Sequence, residues 1–598
     1  MLVSQHHILT FDNASAHFVD VTVHVAFDAP AGRVTFAMPV WTPGSYLVRE
    51  YARHVQGFSV TAVTGEPLAS RKDRKDAWTV DGGRLTQFTL KYRVWCHELT
   101  VRTNHIDGSH ALLCAAATFL YVEGSPAELP ATIEVVAPRG WTTEVPLPPS
   151  DAISRAGGPC FLAENRDALY DTPLLLGVLD RSQFSVNGIP HQYAVWPSNI
   201  LSGTEFMRLI EDTGKLLEVE HHIFGTAPYE RYSFLLNLAP DARGGLEHAY
   251  ATTLLASPFA CRKRKDYLEL LSLVAHEAFH LWSVKRICPA GLSPYKYDRE
   301  NYTRLLWWFE GGTSYFDWRV LRLAGLCTVE EYLAHLAEEL NYVEQTPGRF
   351  AQSLEDASFD AWVKLYRPDA NTPNSTISYY RKGEVVCLLL DATIRAKTQG
   401  EKGLDDVMAR LWSDYGRLGR SVPENAFPEC FEAITGVNVR VEHEQWVRQV
   451  AELPVDEILA KLGLSVVRKV KAEGVTTATG LRLRAAGGHV TVTTVLRHSA
   501  AEKAGLSPGD ELLAVNGWRV GEANLDTHLR GKDPGDTLTA LAARDGRLVE
   551  ATLLLEAARP EIVAIEPMAR PTQEAKSLLT RWLGGMPAAW ALEEKKAS

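Results

Sequence analysis

The chain has 598 residues, 46% of them hydrophobic and 23% charged, with 62 Lys and Arg against 73 Asp and Glu for a formal net charge of -11 at pH 7. That length exceeds a single hydrophobic core and predicts several domains of ordinary globular composition. The acidic balance argues against nucleic acid or an anionic membrane as the principal partner, and no uninterrupted apolar run is long enough to span a bilayer.

The opening MLVSQHHILTFDN lacks a basic region followed by a long apolar core, so the expected location is the cytoplasm. VDVTVHVAF, GRVTFAMPV, FSVTAV, QFTLKYRVW and ATIEVVAP then alternate apolar and polar residues between turns, predicting an N-terminal all-β, sandwich-like domain over residues 1–175. After LLLGVLDRSQFSVNGIPHQYAVW the period changes to helical. SGTEFMRLIEDTGKLLEVEHHIFG, TVEEYLAHLAEELNYVEQ, GEVVCLLLDATIRAKT and GLDDVMARLWSDYG belong to a mainly helical domain over 176–457, with a small sheet before it.

Short strands return in GLRLRAAGGHVTVTTVLRHS, DELLAVNGWRV and DTLTALAARDG, which marks a third domain over 458–557. A tail over 558–598 holds one helix around Glu574 to Trp582. Its Trp582 and Trp590 are expected to dock, because exposed tryptophan is unfavourable. Eight scattered cysteines without a C-x-x-C pair read as buried thiols.

The chemistry concentrates in LSLVAHEAFHLW, where His276 and His280 stand four residues apart on one face of an apolar helix with Glu277 beside them. This is the H-E-x-x-H arrangement of two metal ligands and a general base. A zinc hydrolase needs a third protein ligand and an open position. Glu310, in LLWWFEGGTSYFDW, is the strongest candidate, a lone carboxylate on an apolar segment thirty residues past His280. Asp298, Glu300 and Asp317 compete. The competing account leaves the site empty, with backbone carbonyls satisfying the histidines and Arg304 satisfying Glu310.

HEAFHLWSVKRICP followed by LLWWFEGGTSYF resembles the glycyl aminopeptidase family of zinc metallopeptidases, gluzincins related to thermolysin and the alanyl aminopeptidases. MPVWTPGSYLVREYARHV resembles that family's N-terminal β-domain, GGLEHAY its substrate strand, ISYYRKGEVVCLLLD its tyrosine segment, and HSAAEKAGLSPGDELLAVNGWRV its C-terminal PDZ domain of α+β type. The resemblance implies a thermolysin-like catalytic domain that holds one Zn2+ per chain on His276, His280 and Glu310. Two histidines and a carboxylate suit several divalent metals, and zinc follows from the resemblance.

The same resemblance makes Glu277 the base that takes a proton from the attacking water and passes it to the leaving amine. Tyr380 is the donor to the tetrahedral oxyanion, with Tyr379 its alternative. In GGLEH, Glu247 reads the substrate's free ammonium, while Gly244 and Gly245 let a peptide backbone come close. The implied activity is removal of N-terminal residues, Gly or Ala, from peptides, with a further peptide at the PDZ domain near Gly480 and Leu481. An endopeptidase of the same chemistry and a non-catalytic PDZ scaffold are the alternatives. Three positions depart from the resembled patterns: Ser314 replaces the thermolysin aspartate that orients a metal-bound histidine, Gly312 replaces a bulkier residue, and His248 replaces an asparagine. For residues 42–45 a β-turn in an interdomain contact is expected.

Overall fold

The computed structural model describes residues 1–470, 478–521, 527, 532–557 and 559–590. The chain forms two compact units. One comprises Met1–Tyr302, Phe316–Leu326 and Met408–Pro423, and the other Thr303–Tyr315, Cys327–Val407 and Glu424–Ser598. The helix Gly311–Leu323 runs through the division.

In the first unit, strand Phe18–Phe27 buries every second residue, Val19 to Phe27, as its alternating sequence requires. It pairs with Gln87–Trp95 and with Leu2–Thr10, which also runs parallel to Ala131–Val136. Leu2–Thr10 escapes the pattern search because VSQHH breaks its alternation, and only its second half is steadily buried. Two further four-stranded sheets complete the β-region, one around Gly32–Ala37 and Ala77–Gly83, the other around His110–Cys114 and Pro173–Gly177.

A five-stranded sheet follows in the order Asp180–Val186, Ile189–Trp196, Tyr232–Leu238, Ala251–Ala256, Gly244–Glu247. Its last member is an edge strand, antiparallel to Ala251–Ala256 with Gly245 opposite Leu254 and Glu247 opposite Thr252. The helix Gly203–Phe224 begins with a capping box, Ser202 and Glu205 satisfying each other's backbone N–H, and ends at Gly225 with φ +77°. Against it and against the edge strand packs the helix Arg264–Phe279. That helix buries Leu268, Leu271, Val274, Ala275 and Phe279, so the histidine motif lies at the C-terminal end of an element held on several sides.

In the second unit the helix Arg381–Lys397 is buried from Lys382 to Arg395, and Val329–Glu344, started by a Thr328–Glu331 capping box, packs along it. The PDZ-type sheet runs Leu481–Ala486, His489–Val495, Glu511–Val515, Thr537–Arg544, Arg547–Leu554, with Leu481–Ala486 at an edge. GLRLRAAGGHV is a hairpin: Gly487 and Gly488 take φ +62° and +84°, the left-handed pair a two-residue turn demands. Leu464–Lys469 and Glu561–Pro567 form a two-stranded ribbon on either side of this sheet in sequence, and the ribbon packs on Val329–Glu344.

The tail helix spans Gln573–Leu583. Trp582 and Trp590 are both buried, donating from their indole nitrogens to the Tyr315 hydroxyl at 2.8 Å and the Met568 carbonyl at 3.1 Å. Residues 591–598 of the expected charged end lie outside the described residues. Among the described residues no helix is long and apolar enough to cross a membrane.

Candidate active site

His276 lies in the last turn of Arg264–Phe279, and His280 caps that helix with φ -62° and ψ -15°, so the four-residue spacing keeps both rings on one face. Each ring is fixed through Nδ1. His276 Nδ1 is 3.0 Å from Asp317 Oδ2, and His280 Nδ1 is 2.6 Å from the Ser283 carbonyl. A carbonyl can only accept, so His280 carries its proton on Nδ1, and the carboxylate selects the same tautomer at His276. The Nε2 lone pair of each ring is then the ligating one, as in metal-bound histidines with an outer carboxylate or carbonyl partner.

Asp317 therefore takes the orienting role that the Ser314 substitution left open. Its hydrogen bond to His276 removes it as the natural third ligand. Asp298 pairs with Arg299 at 2.9 Å on the surface. Glu310 is 2% exposed, at the junction of Leu306–Phe309 and Gly311–Leu323. Arg304, its possible neutralising partner, instead pairs with Asp356 at 3.1 Å. His276 and His280 belong to the first unit and Glu310 to the second.

Glycines bring the second unit's groups together. A Cβ on Gly311 would lie 2.5 Å from the Tyr379 carbonyl oxygen and 2.6 Å from Gly383 Cα, so the helix start after Glu310 meets the Tyr380 segment backbone to backbone. Tyr380 precedes Arg381–Lys397, half-buried, with its hydroxyl 3.3 Å from that of Tyr366, a neighbour that sequence reading missed. Burial, then the Glu310 carboxylate, raises its phenol well above the ordinary value, so it is a protonated donor at neutral pH. Tyr379 is fully buried and stacks on Tyr380 with ring centroids 4.7 Å apart.

On the first unit's edge strand, a Cβ at Gly245 would fall 2.0 Å from Glu277 Oε1, so only glycine allows this close approach. Gly244 carries no such restriction, its nearest neighbours being side-chain atoms at 3.8 Å. Glu247 is 4% exposed and its Oε1 has no hydrogen-bond partner among the described residues; its carboxylate lies within 4.8 Å of potential ligand atoms of Glu277 and His280. A buried carboxylate oxygen without a donor is costly, and a bound cation is the ordinary remedy. The strand's exit is clamped by residues that sequence reading did not single out. Asp171 accepts from the Ala249 N–H and from Lys285 Nζ, both at 2.6 Å, and lies 3.4 Å from His248 Nδ1. Lys285 holds the Asp171 carboxyl down at about 2 despite its burial.

The fold and this site define a metallopeptidase. Residues 269–386 match the family model of the M61 glycyl aminopeptidase, residues 6–178 that of the Peptidase M61 N-terminal domain, and residues 462–555 that of a PDZ domain. Over these two stretches the chain resembles the M61 glycyl aminopeptidases. Among solved structures it resembles an aminopeptidase N family protein from Idiomarina loihiensis, 27% identical with a TM-score of 0.90, covering 98% of this chain and 100% of that one. An M1 zinc metallopeptidase from Deinococcus radiodurans is 16% identical with a TM-score of 0.48, covering 76% and 95%. No curated protein matches.

Proposed function

We propose that this chain is a zinc-dependent aminopeptidase that removes small N-terminal residues, Gly or Ala, from peptides. The observation that carries the reading is Glu247: a buried carboxylate oxygen lacking a donor, beside Glu277 and His280, is the feature expected of a group that receives an ammonium. The chemistry of the donor set, two imidazoles presenting Nε2 and one buried carboxylate, fits one zinc ion on His276, His280 and Glu310. When bound there, zinc supplies Lewis-acid polarisation of the scissile carbonyl and makes water acidic enough to lose a proton near neutral pH.

The chain's own groups do the rest. Glu277 accepts the proton of the attacking water and delivers it to the leaving amine. The protonated Tyr380 hydroxyl donates to the oxygen on which charge develops, so its contribution is largest in the transition state. The edge strand with Gly244 and Gly245 aligns an extended peptide, and Glu247 fixes its first residue. The glycine at 245 supports the reading, since any side chain there would displace the base. At the PDZ domain, edge strand Leu481–Ala486 suits addition of a peptide strand, with Gly480 and Leu481 at its start.

Metal content and amino-acid release test this together, on unblocked and N-acetylated aminoacyl substrates, for the wild type and Glu277→Gln. About one zinc per chain, turnover of unblocked small residues only, and a zinc-loaded inactive variant are expected. Equal cleavage of blocked substrates would make it an endopeptidase. Bound zinc with no turnover would leave a PDZ scaffold.

A further inference from the structure

The β-turn at residues 42–45 belongs to the N-terminal β-region, far in sequence from the histidine motif. Yet a Cβ built on Gly44 would lie 2.5 Å from each oxygen of the Glu247 carboxylate and 2.7 Å from its carbon. A side chain at this position would push the carboxylate aside. Gly44 has φ +84°, the third position of a type II turn with Pro43 at the second, and Ser45 N–H donates to the Thr42 carbonyl at 3.1 Å.

The turn is rigid. Thr42 and Ser45 are buried, and Arg49 donates from Nε and a terminal nitrogen to Ser45 Oγ at 3.2 and 2.9 Å. Trp41 Nε1 donates to the Lys296 carbonyl at 2.7 Å, and Val40 N–H to the Tyr297 carbonyl at 2.8 Å, anchoring the turn to the segment that follows the histidine motif.

From this contact we propose that the 42–45 turn is the wall of the pocket that receives the substrate's N-terminus, and that Gly44 is the positioning residue for Glu247. The inference rests on the amine-reading role of Glu247. Oε1 has no donor among the described residues, and the backbone of Gly44 meets the carboxylate at its own end. On this reading the turn takes the space that a preceding residue of a longer peptide would need. Exopeptidase action is thereby a joint property of the edge strand and the β-region.

Gly44→Asn is the direct test, because asparagine tolerates a positive φ better than most residues. In the full-length, metal-loaded protein, kcat and KM are measured on alanyl 4-nitroanilide and its N-acetyl counterpart, with Glu247→Gln as reference and zinc content and Tm as controls. Gly44→Asn is expected to raise KM for the free-amine substrate on the order of tenfold or more, the scale of one charge-assisted hydrogen bond, with a smaller change in kcat and discrimination moved toward that of Glu247→Gln.

A folded, zinc-loaded Gly44→Asn with wild-type KM and discrimination, alongside a Glu247→Gln that has lost discrimination, overturns the positioning role alone. A Glu247→Gln that still discriminates overturns the amine reading and this inference with it. If Gly44→Asn does not fold, Arg49→Ala loosens the same turn by removing its bonds to Ser45 and is expected to show the same KM-weighted loss; a wild-type KM there overturns the proposal.

Discussion

His276 Nδ1 and Asp317 Oδ2 are 3.0 Å apart, joining the first histidine of the motif to a helix that begins immediately after Glu310. The hydrogen bond orients the ring and raises its basicity, and such outer partners typically contribute 10- to 100-fold in metal affinity. Asp317→Ala is therefore expected to lower zinc affinity by roughly that factor, read by competition with a chromophoric chelator. Asp317→Asn, which still offers an acceptor oxygen, should lose less. Equal affinity in Asp317→Ala and wild type would remove the orienting role.

Tyr380 and Tyr379 both feel the Glu310 carboxylate but differ in exposure: Tyr380 is half-buried, while Tyr379 is fully buried. Tyr380→Phe removes only the donor, so kcat should fall by about 10²–10³ with KM little changed, the size of one oxyanion donor. Tyr379→Phe should keep kcat within a fewfold. The reverse pattern would transfer the donor role to Tyr379.

Which parts of this were legible beforehand follows from how far each signal reaches along the chain. The histidine motif, the lone Glu310 between WWF and GG, and strands such as Phe18–Phe27 carry their signal within one or two turns or one alternation. Asp317 was visible as a carboxylate on the segment after Glu310, but which ring it faces depends on how two helices meet. Lys285 and Asp171, 114 residues apart, form a pair that no local pattern announces. Gly44 read as an ordinary turn glycine, because its second requirement, clearance for Glu247, comes from a strand two hundred residues away. Gly311 is similar: sequence shows a Gly-Gly pair, and only packing shows that it makes room for Tyr379 and Gly383.

Trp582 lies at 0% exposure and donates to Tyr315, whose hydroxyl in turn donates to Asp391, itself bonded to Arg395 at 2.8 Å. Tyr315 is five residues past Glu310, so the tail helix supports the helix that begins immediately after the proposed ligand. Trp582→Ala should destabilise the protein by ~3–5 kcal/mol, the usual cost of deleting a buried tryptophan. Thermal melts measure it. Trp582→Phe, which keeps most of the volume and loses only the indole N–H, should recover most of that loss.

His7 is fully buried in strand Leu2–Thr10, its two ring nitrogens lack hydrogen-bond partners among the described residues, and its ring meets Phe119 edge-on at 4.9 Å. Burial, with a smaller contribution from His6, lowers its pKa from 6.5 to about 3. The folded state thus keeps His7 neutral while the unfolded chain takes up a proton below 6.5. The contribution to stability is full above pH 6.5 and is lost as pH falls from 6.5 toward 3. At pH 4.5 the loss amounts to ~2–3 kcal/mol. His7→Leu removes the titrating group and fills the site with an apolar side chain, so its Tm should fall less than the wild type's between pH 7.5 and 4.5. Parallel Tm curves for the two proteins over that range would show that His7 does not bear the acid sensitivity.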